Sequence, residues 1–138
     1  MDKSQILDFI TKHPTAYLAT ASGSTPHVRA MGTYRADENG IIFAMQSDKD
    51  VYRQLVANPE VEICYFADGV QLRVAGKLVE DKSQALKEEV TEKRTFYKPG
   101  VEQHGWDYVG AFRMTGGKAS VLDMKAPPSP SGKVWIDL

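Results

Sequence analysis

Apolar positions along the chain change period several times, and each change predicts an element. Ile6, Leu7, Phe9 and Ile10 share one side of a helical wheel, and Pro14 ends that helix. Ala16 to Ala21 follows as a strand, with Tyr17 and Leu18 its bulkiest members. After the turn residues Ser22-Gly23-Ser24-Thr25-Pro26, weak alternation from His27 to Arg35 predicts a second strand. Asp37-Glu38-Asn39-Gly40 is a hairpin turn, and Ile41 to Gln46 is the third strand. Val51, Tyr52, Leu55 and Val56 stripe a helix that Ser47 or Asp48 can cap and Asn58-Pro59 stops. Val61 to Phe66 and Val70 to Val79 are strands joined at Asp68-Gly69, with Gly76 a bulge or a point of close approach.

Asp81 with Gln84 resembles a capping box for a helix reaching about Lys98, whose apolar side is Leu86, Val90 and Phe96 or Tyr97. Pro99-Gly100 ends it, and Val101 to Gly105 is a loop leading to Trp106. Tyr108 to Thr115 and Lys118 to Asp123 are expected to pair across Gly116-Gly117. Pro127 to Gly132 reads as an extended segment, after which Val134-Trp135-Ile136 can dock. The sum is about seven strands and three helices: a mainly β domain over residues 1–123, then a Pro-rich tail over 124–138. Closely spaced hairpins favour an antiparallel barrel over a doubly wound sheet. No Gly-x-Gly-x-x-Gly joins a strand to a helix, and no Gly-Lys-Ser/Thr loop is present, so the familiar dinucleotide and nucleoside triphosphate motifs are missing.

Composition narrows the classes further. Lys and Arg number 17 against 18 Asp and Glu, a net charge of −1 without a basic tract, which speaks against a nucleic-acid surface. Apolar runs of a few residues fall short of the roughly 20 needed to span a bilayer. Met1 leads straight into a polar amphipathic segment, so no secretory signal and a cytoplasmic location are expected. Cys64 is the single cysteine; its apolar neighbours predict a buried, inert thiol. His13, His27 and His104 are scattered, and no metal-ligand spacing links them.

The chemistry concentrates in two segments. Arg29 sits inside the strand Pro26-His27-Val28-Arg29-Ala30-Met31-Gly32, with His27 on the same face. Gln46-Ser47-Asp48-Lys49 then opens a helix, its first residue fourteen positions after Gly32. Together they offer a guanidinium, an ammonium, a hydroxyl and helix-terminal N–H donors to one anion. The ordinary alternatives remain open: a strand arginine in a surface ion pair, worth about 0–1 kcal/mol, and a solvated lysine.

These residues, with Asn58-Pro59-x-Val61 and Gln71-x-Arg73-Val74-x-Gly76, occur in the order and spacing that resemble the pyridoxamine 5′-phosphate oxidase-like family of FMN-binding split barrels. The resemblance spans about residues 5 to 123, and Phe112 to Met124 is similar to the last hairpin of small, single-domain members. It implies a six- to seven-stranded antiparallel split barrel that dimerises with FMN in the groove between subunits. Carried onto this chain, Arg29 pairs with the FMN phosphate, and Ser47 and Lys49 complete the cradle. Ala30, Met31 and Gly32 pass along the flavin and ribityl chain, and Ala44, Met45 and Gln46 line the opposite strand. Gln71 reaches toward the isoalloxazine edge and Trp106 toward the other subunit's flavin. The chain departs from the oxidase proper in having Asp50-Val51 where that enzyme has an Arg-Lys pair. No C-terminal arginine segment matches either, which argues against true pyridoxamine phosphate oxidation. The expected activity is therefore electron or hydride transfer between a reduced donor such as NAD(P)H and a small flat acceptor. No side chain stands out as a catalytic acid or base. A flavin binder or redox sensor without turnover, a related ligand such as a deazaflavin or haem, and a dimer with a vestigial pocket are the alternatives.

Overall fold

The computed structural model describes residues 1–127 and 134–138. Helix α1 (Lys3–Lys12) is closed at its start by a capping box, Asp2 Oδ1 accepting the Gln5 N–H at 2.8 Å and Gln5 Oε1 accepting the Asp2 N–H at 2.9 Å. Strands β1 (Thr15–Ser22), β2 (Thr25–Gly32), β3 (Arg35–Asp37) and β4 (Gly40–Gln46) follow, then α2 (Asp50–Ala57). Strands β5 (Glu60–Ala67), β6 (Val70–Lys77) and β7 (Val79–Glu80) lead to α3 (Gln84–Lys93) and α4 (Lys98–His104). Strands β8 (Val109–Met114), β9 (Lys118–Asp123) and β10 (Ile136–Asp137) close the order. Short 3-10 turns at Thr95–Tyr97 and Trp106–Tyr108 flank α4.

All ladders are antiparallel and form two sheets, β10-β9-β6-β5-β1-β2 and β3-β4-β8-β7. No ladder joins β2 to β4, so the barrel is split along that seam. Core side chains alternate along β1, β5 and β6, putting Leu18, Ile63, Tyr65, Leu72 and Val74 inside with Ile6 and Ile10 of α1. Strand β4 is buried from Ile41 through Met45, which explains its unbroken apolar run. One face, with Phe43, meets that core; the other, with Ile42 and Ala44, packs under Leu86 and Val90 of α3 and Tyr97. The outer face of the large sheet leaves Tyr17, Val28, Phe66 and Leu122 about half exposed or more.

Several local expectations are corrected. The strand expected over His27–Arg35 breaks at Thr33-Tyr34, where the Thr33 N–H turns to Pro14 O and the Tyr34 N–H to Ile42 O, moving the chain to the second sheet. The strand expected through Val79 breaks at Leu78, fully buried and bound to Pro59 O. Gly76 is a close approach: a Cβ there would lie 3.0 Å from Met114 Sδ and 3.2 Å from Gly117 Cα. β8 and β9 do not pair; Gly116, at φ +67°, turns the chain between sheets, and β9 joins β6. The helix expected to reach Lys98 stops at Lys93, and the expected loop 101–105 lies largely within α4, which Pro99 helps to start. Asp81 accepts from the Ser83 N–H and caps no helix.

Cys64 is half-buried on the outer face, since its neighbours Ile63 and Tyr65 take the inner positions; burial pushes its thiol pKa up. The extended segment expected at Pro127–Gly132 lies, from Pro128 on, outside the described residues. Beyond it Trp135 does dock, its ring 5.2 Å from the Arg73 guanidinium, and Ile136 pairs with Ala119. No helix among the described residues is long and apolar enough to cross a membrane.

Candidate cofactor site

The seam between the sheets opens as a cleft of about 370 Å³. It is lined by Arg29, Ala30, Met31 and Gly32 of β2 and by Ala44, Met45 and Gln46 of β4, with Lys49 at the entry to α2. Strand β2 is an edge, so half of its backbone N–H and C=O groups face the cleft without a strand partner. Pleating sends Arg29 and Met31 to the face opposite Val28 and Ala30.

There the Arg29 guanidinium is held in place. Nη1 donates to Leu18 O at 3.2 Å and to Thr20 Oγ1 at 2.9 Å, and Nη2 donates to Gln54 Oε1 of α2. Gln54 is itself fixed by the Thr20 hydroxyl, 2.6 Å away. Partial burial lowers the Arg29 pKa, and the charge of Asp50 offsets part of that. Lys49 is the N-cap residue of α2 and provides no side-chain cap, so the ammonium is not spent on its own helix. Its N–H closes a turn on Gln46 O at 3.1 Å. Neither Ser47 nor Asp48 caps α2, which corrects that expectation. The Ser47 N–H is bound to Tyr108 O, and the residue does not line the cleft.

Four further residues line the cleft that sequence reasoning missed: Val51, Arg94, Phe96 and Tyr97. Arg94 terminates α3, donates from Nη2 to Thr33 O at 3.4 Å, and lies 5.1 Å from the Tyr34 ring centroid. Phe96 is 61% exposed and stacks on buried Tyr97 with centroids 4.6 Å apart. The signal was a cation followed by two aromatics, Arg94-Thr95-Phe96-Tyr97, read instead as the end of a helix.

Charge pairing sets this cleft apart. Of the six arginines, Arg35, Arg53, Arg73 and Arg113 each meet a carboxylate: Glu89, Asp50, Glu62 and Asp81. Arg29 and Arg94 meet none among the described residues, and neither does Lys49. All three line the cleft, and no Asp, Glu or His does. The expected residues Gln71 and Trp106 lie elsewhere. Gln71 is on β6 between Phe66 and Leu122 on the outer sheet face. Trp106 borders a groove with Glu88, Thr91, Glu92, Lys98, Val101 and Glu102.

The described residues thus form an antiparallel split barrel whose seam opens as a cationic cleft lined by no carboxylate. The chain belongs to the pyridoxamine 5′-phosphate oxidase family, which matches residues 3–125. No curated protein sequence matches it. Among solved structures, a NimC/NimA family protein from Clostridium acetobutylicum is 23% identical with a TM-score of 0.78, over 98% of this chain and 92% of that one. PhzG from Burkholderia lata 383, determined in complex with tetrahydrophenazine-1-carboxylic acid, is 12% identical with a TM-score of 0.72, over 98% and 89%. The General Stress Protein 26 from Bacillus anthracis is 14% identical with a TM-score of 0.65, over 97% and 99%. At these identities the likeness is one of fold.

Proposed function

We propose that this protein is an FMN-binding flavoprotein that transfers electrons or hydride between a reduced donor, such as NAD(P)H, and a small flat acceptor. One observation carries the reading: Arg29, Arg94 and Lys49, none paired to a carboxylate, converge on one cleft. A partly buried guanidinium that makes no ion pair gains a charge-assisted, forked partner in a bound phosphate. The cleft also has two unlike ends. Arg29 is tied to α2, which Lys49 opens, whereas Gly32 lies beside Arg94, whose neighbours Phe96 and Tyr97 also line the cleft. From Arg29 to Gly32 the strand advances about 10 Å. A phosphate joined by a polyol chain to a planar ring suits that order.

In this reading Arg29 and Lys49 hold the phosphate, the Ala30–Gly32 backbone follows the ribityl chain, and Phe96 flanks the ring. Bound flavin supplies the redox chemistry. The chain supplies position and charge, and excludes carboxylates and histidines that could relay protons. Gln71 and Trp106 serve the cleft of a second copy. The exposed Tyr17, Val28, Phe66 and Leu122 of the outer sheet face favour a homodimer, since an apolar face of this kind marks an interaction surface. We take residues 1–123 as the split-barrel domain and 124–138 as a tail whose end, Ile136–Asp137, adds an edge strand beside β9.

An absorbance scan of the purified protein with and without FMN tests the assignment. Bands of bound oxidised flavin, in a dimer by light scattering, are the expected result. A colourless protein that shows no shift on FMN titration overturns it, and uptake of haem or a deazaflavin in its place changes the cofactor. Bleaching of bound flavin by NADH or NADPH, and its recovery with an added acceptor, separates an enzyme from a passive binder.

A further inference from the structure

We propose that Arg94 is the counter-charge for reduced FMN, making the cleft favour the anionic reduced flavin. The inference rests on the flavin assignment above and goes beyond it by giving a redox role to a residue outside the phosphate end.

Arg94 is a cation held entirely by neutral groups. Its backbone N–H ends α3 on Val90 O at 2.8 Å. Its guanidinium touches Thr33 O and the face of Tyr34, and a Cβ placed on Gly32 would lie 4.0 Å from Nη2. The nearby carboxylate, Glu89, is already engaged by the Tyr34 hydroxyl and by Arg35 Nη1, each at 2.7 Å. Arg94 thus carries uncompensated charge beside Gly32, Phe96 and Tyr97, at the aromatic end of the cleft. Arg29 and Lys49 hold the other end, so a ligand anchored there by phosphate leaves Arg94 free to meet its ring.

Reduction places negative charge on that ring. A hydride donor such as a reduced nicotinamide breaks one C–H bond and loses two electrons. A new bond forms between hydride and flavin N5, and the extra charge settles over the N1–C2=O edge. No proton is required. No carboxylic acid or histidine lines the cleft to supply one, and burial raises the pKa of the Tyr97 hydroxyl. A fixed guanidinium in a partly desolvated cleft lowers the energy of that charge more than water does.

Sulfite provides a test that does not depend on turnover. It adds to flavin N5 through sulfur and leaves negative charge on the same edge, bleaching the flavin band. Wild type, Arg94→Ala, Arg94→Gln and Arg94→Lys, each loaded with FMN, are titrated with sulfite, and their midpoint potentials are read against a reference dye. Gln keeps a donor for Thr33 O should Ala fail to fold. Ala and Gln are compared with wild type at saturating FMN, so that any change in their FMN affinity stays out of the reading. The expected result is that their sulfite affinity falls at least tenfold, equivalent to about 30 mV for a two-electron couple, while Lys retains most of the effect. Sulfite affinity and potential unchanged in flavin-loaded Ala or Gln variants overturn the proposal alone. So does a wild-type flavin that takes no sulfite and has a potential at or below that of free FMN. Wild-type protein that takes up no FMN overturns the flavin assignment and this role with it.

Discussion

Replacing Arg29 with alanine tests the phosphate end of the cleft. A guanidinium has five N–H donors. In Arg29, Leu18 O, Thr20 Oγ1 and Gln54 Oε1 occupy three of them, leaving Nε–H and one Nη2–H for a ligand. Hydrogen bonds to charged groups contribute about 1.5–3 kcal/mol each. The two are not additive, because Lys49 remains nearby, so a total loss of about 1.5–3 kcal/mol is expected. That corresponds to a dissociation constant raised about 10- to 150-fold. The fold should survive, because Gln54 Oε1 keeps the Thr20 hydroxyl at 2.6 Å; the loss of a donor to Leu18 O and Thr20 Oγ1, both on buried residues, puts about 1–3 kcal/mol of stability at stake. Quenching of FMN fluorescence gives the affinity, and thermal unfolding of the unliganded variant gives the stability. Arg29→Lys should fall between wild type and alanine, since it keeps the charge and loses the fork. An alanine variant that binds FMN within twofold of wild type, with wild-type binding intact, refutes the phosphate role.

Glu89 accepts hydrogen bonds from Tyr34 and Arg35, which hold its carboxyl pKa below the usual value. Its stabilisation is complete above the unfolded value of about 4.3 and is lost as pH falls through the lower folded value. Glu89→Gln should therefore lower Tm near neutrality and flatten its acid decline, and a variant with the wild-type slope contradicts this. Phe66→Asp sets a charge in the exposed outer sheet face, 54% of the phenylalanine being accessible in the single chain. Light scattering should show a dimer reduced to monomer; an unchanged dimer places the interface elsewhere. Gly110→Ala puts a Cβ 2.6 Å from the Tyr52 ring, whose hydroxyl is tied to Glu80 at 2.7 Å. Denaturant unfolding should show a loss of about 1–3 kcal/mol from overpacking, and full wild-type stability would mean that Tyr52 moves freely.

What could be read from the sequence was whatever depends on short stretches of chain. Arg29 through Gly32 and Ala44 through Lys49 lie on single strands and one turn, and eight of the eleven expected site residues line the same cleft. Arg94, Phe96 and Tyr97 arrive from a segment where Pro99-Gly100 gave a misleading stop: Pro99 begins α4 instead of ending α3. Their role depends on packing over Gly32 and Ala44, about fifty to sixty positions away, which no local pattern encodes. The same reason defeated the β8–β9 hairpin. Two adjacent strands with glycines between them satisfy every local rule for pairing. Their hydrogen bonds go instead to β4 and β6, because Gly117 packs against Met114 and Ala75 too tightly for a side chain. Gln71 and Trp106 came from family resemblance alone, and one chain brings neither to the cleft.

Equilibrium binding of FMN and of riboflavin to the wild-type protein, side by side, isolates the phosphate. The two ligands share ring and ribityl chain and differ only in the anionic group. With Arg29 and Lys49 seating that group, FMN should bind at least tenfold more tightly, a difference of about 1.4 kcal/mol, and the margin should shrink as salt is raised. Equal affinity for the two, or binding of neither, contradicts a phosphate site at the seam of the barrel.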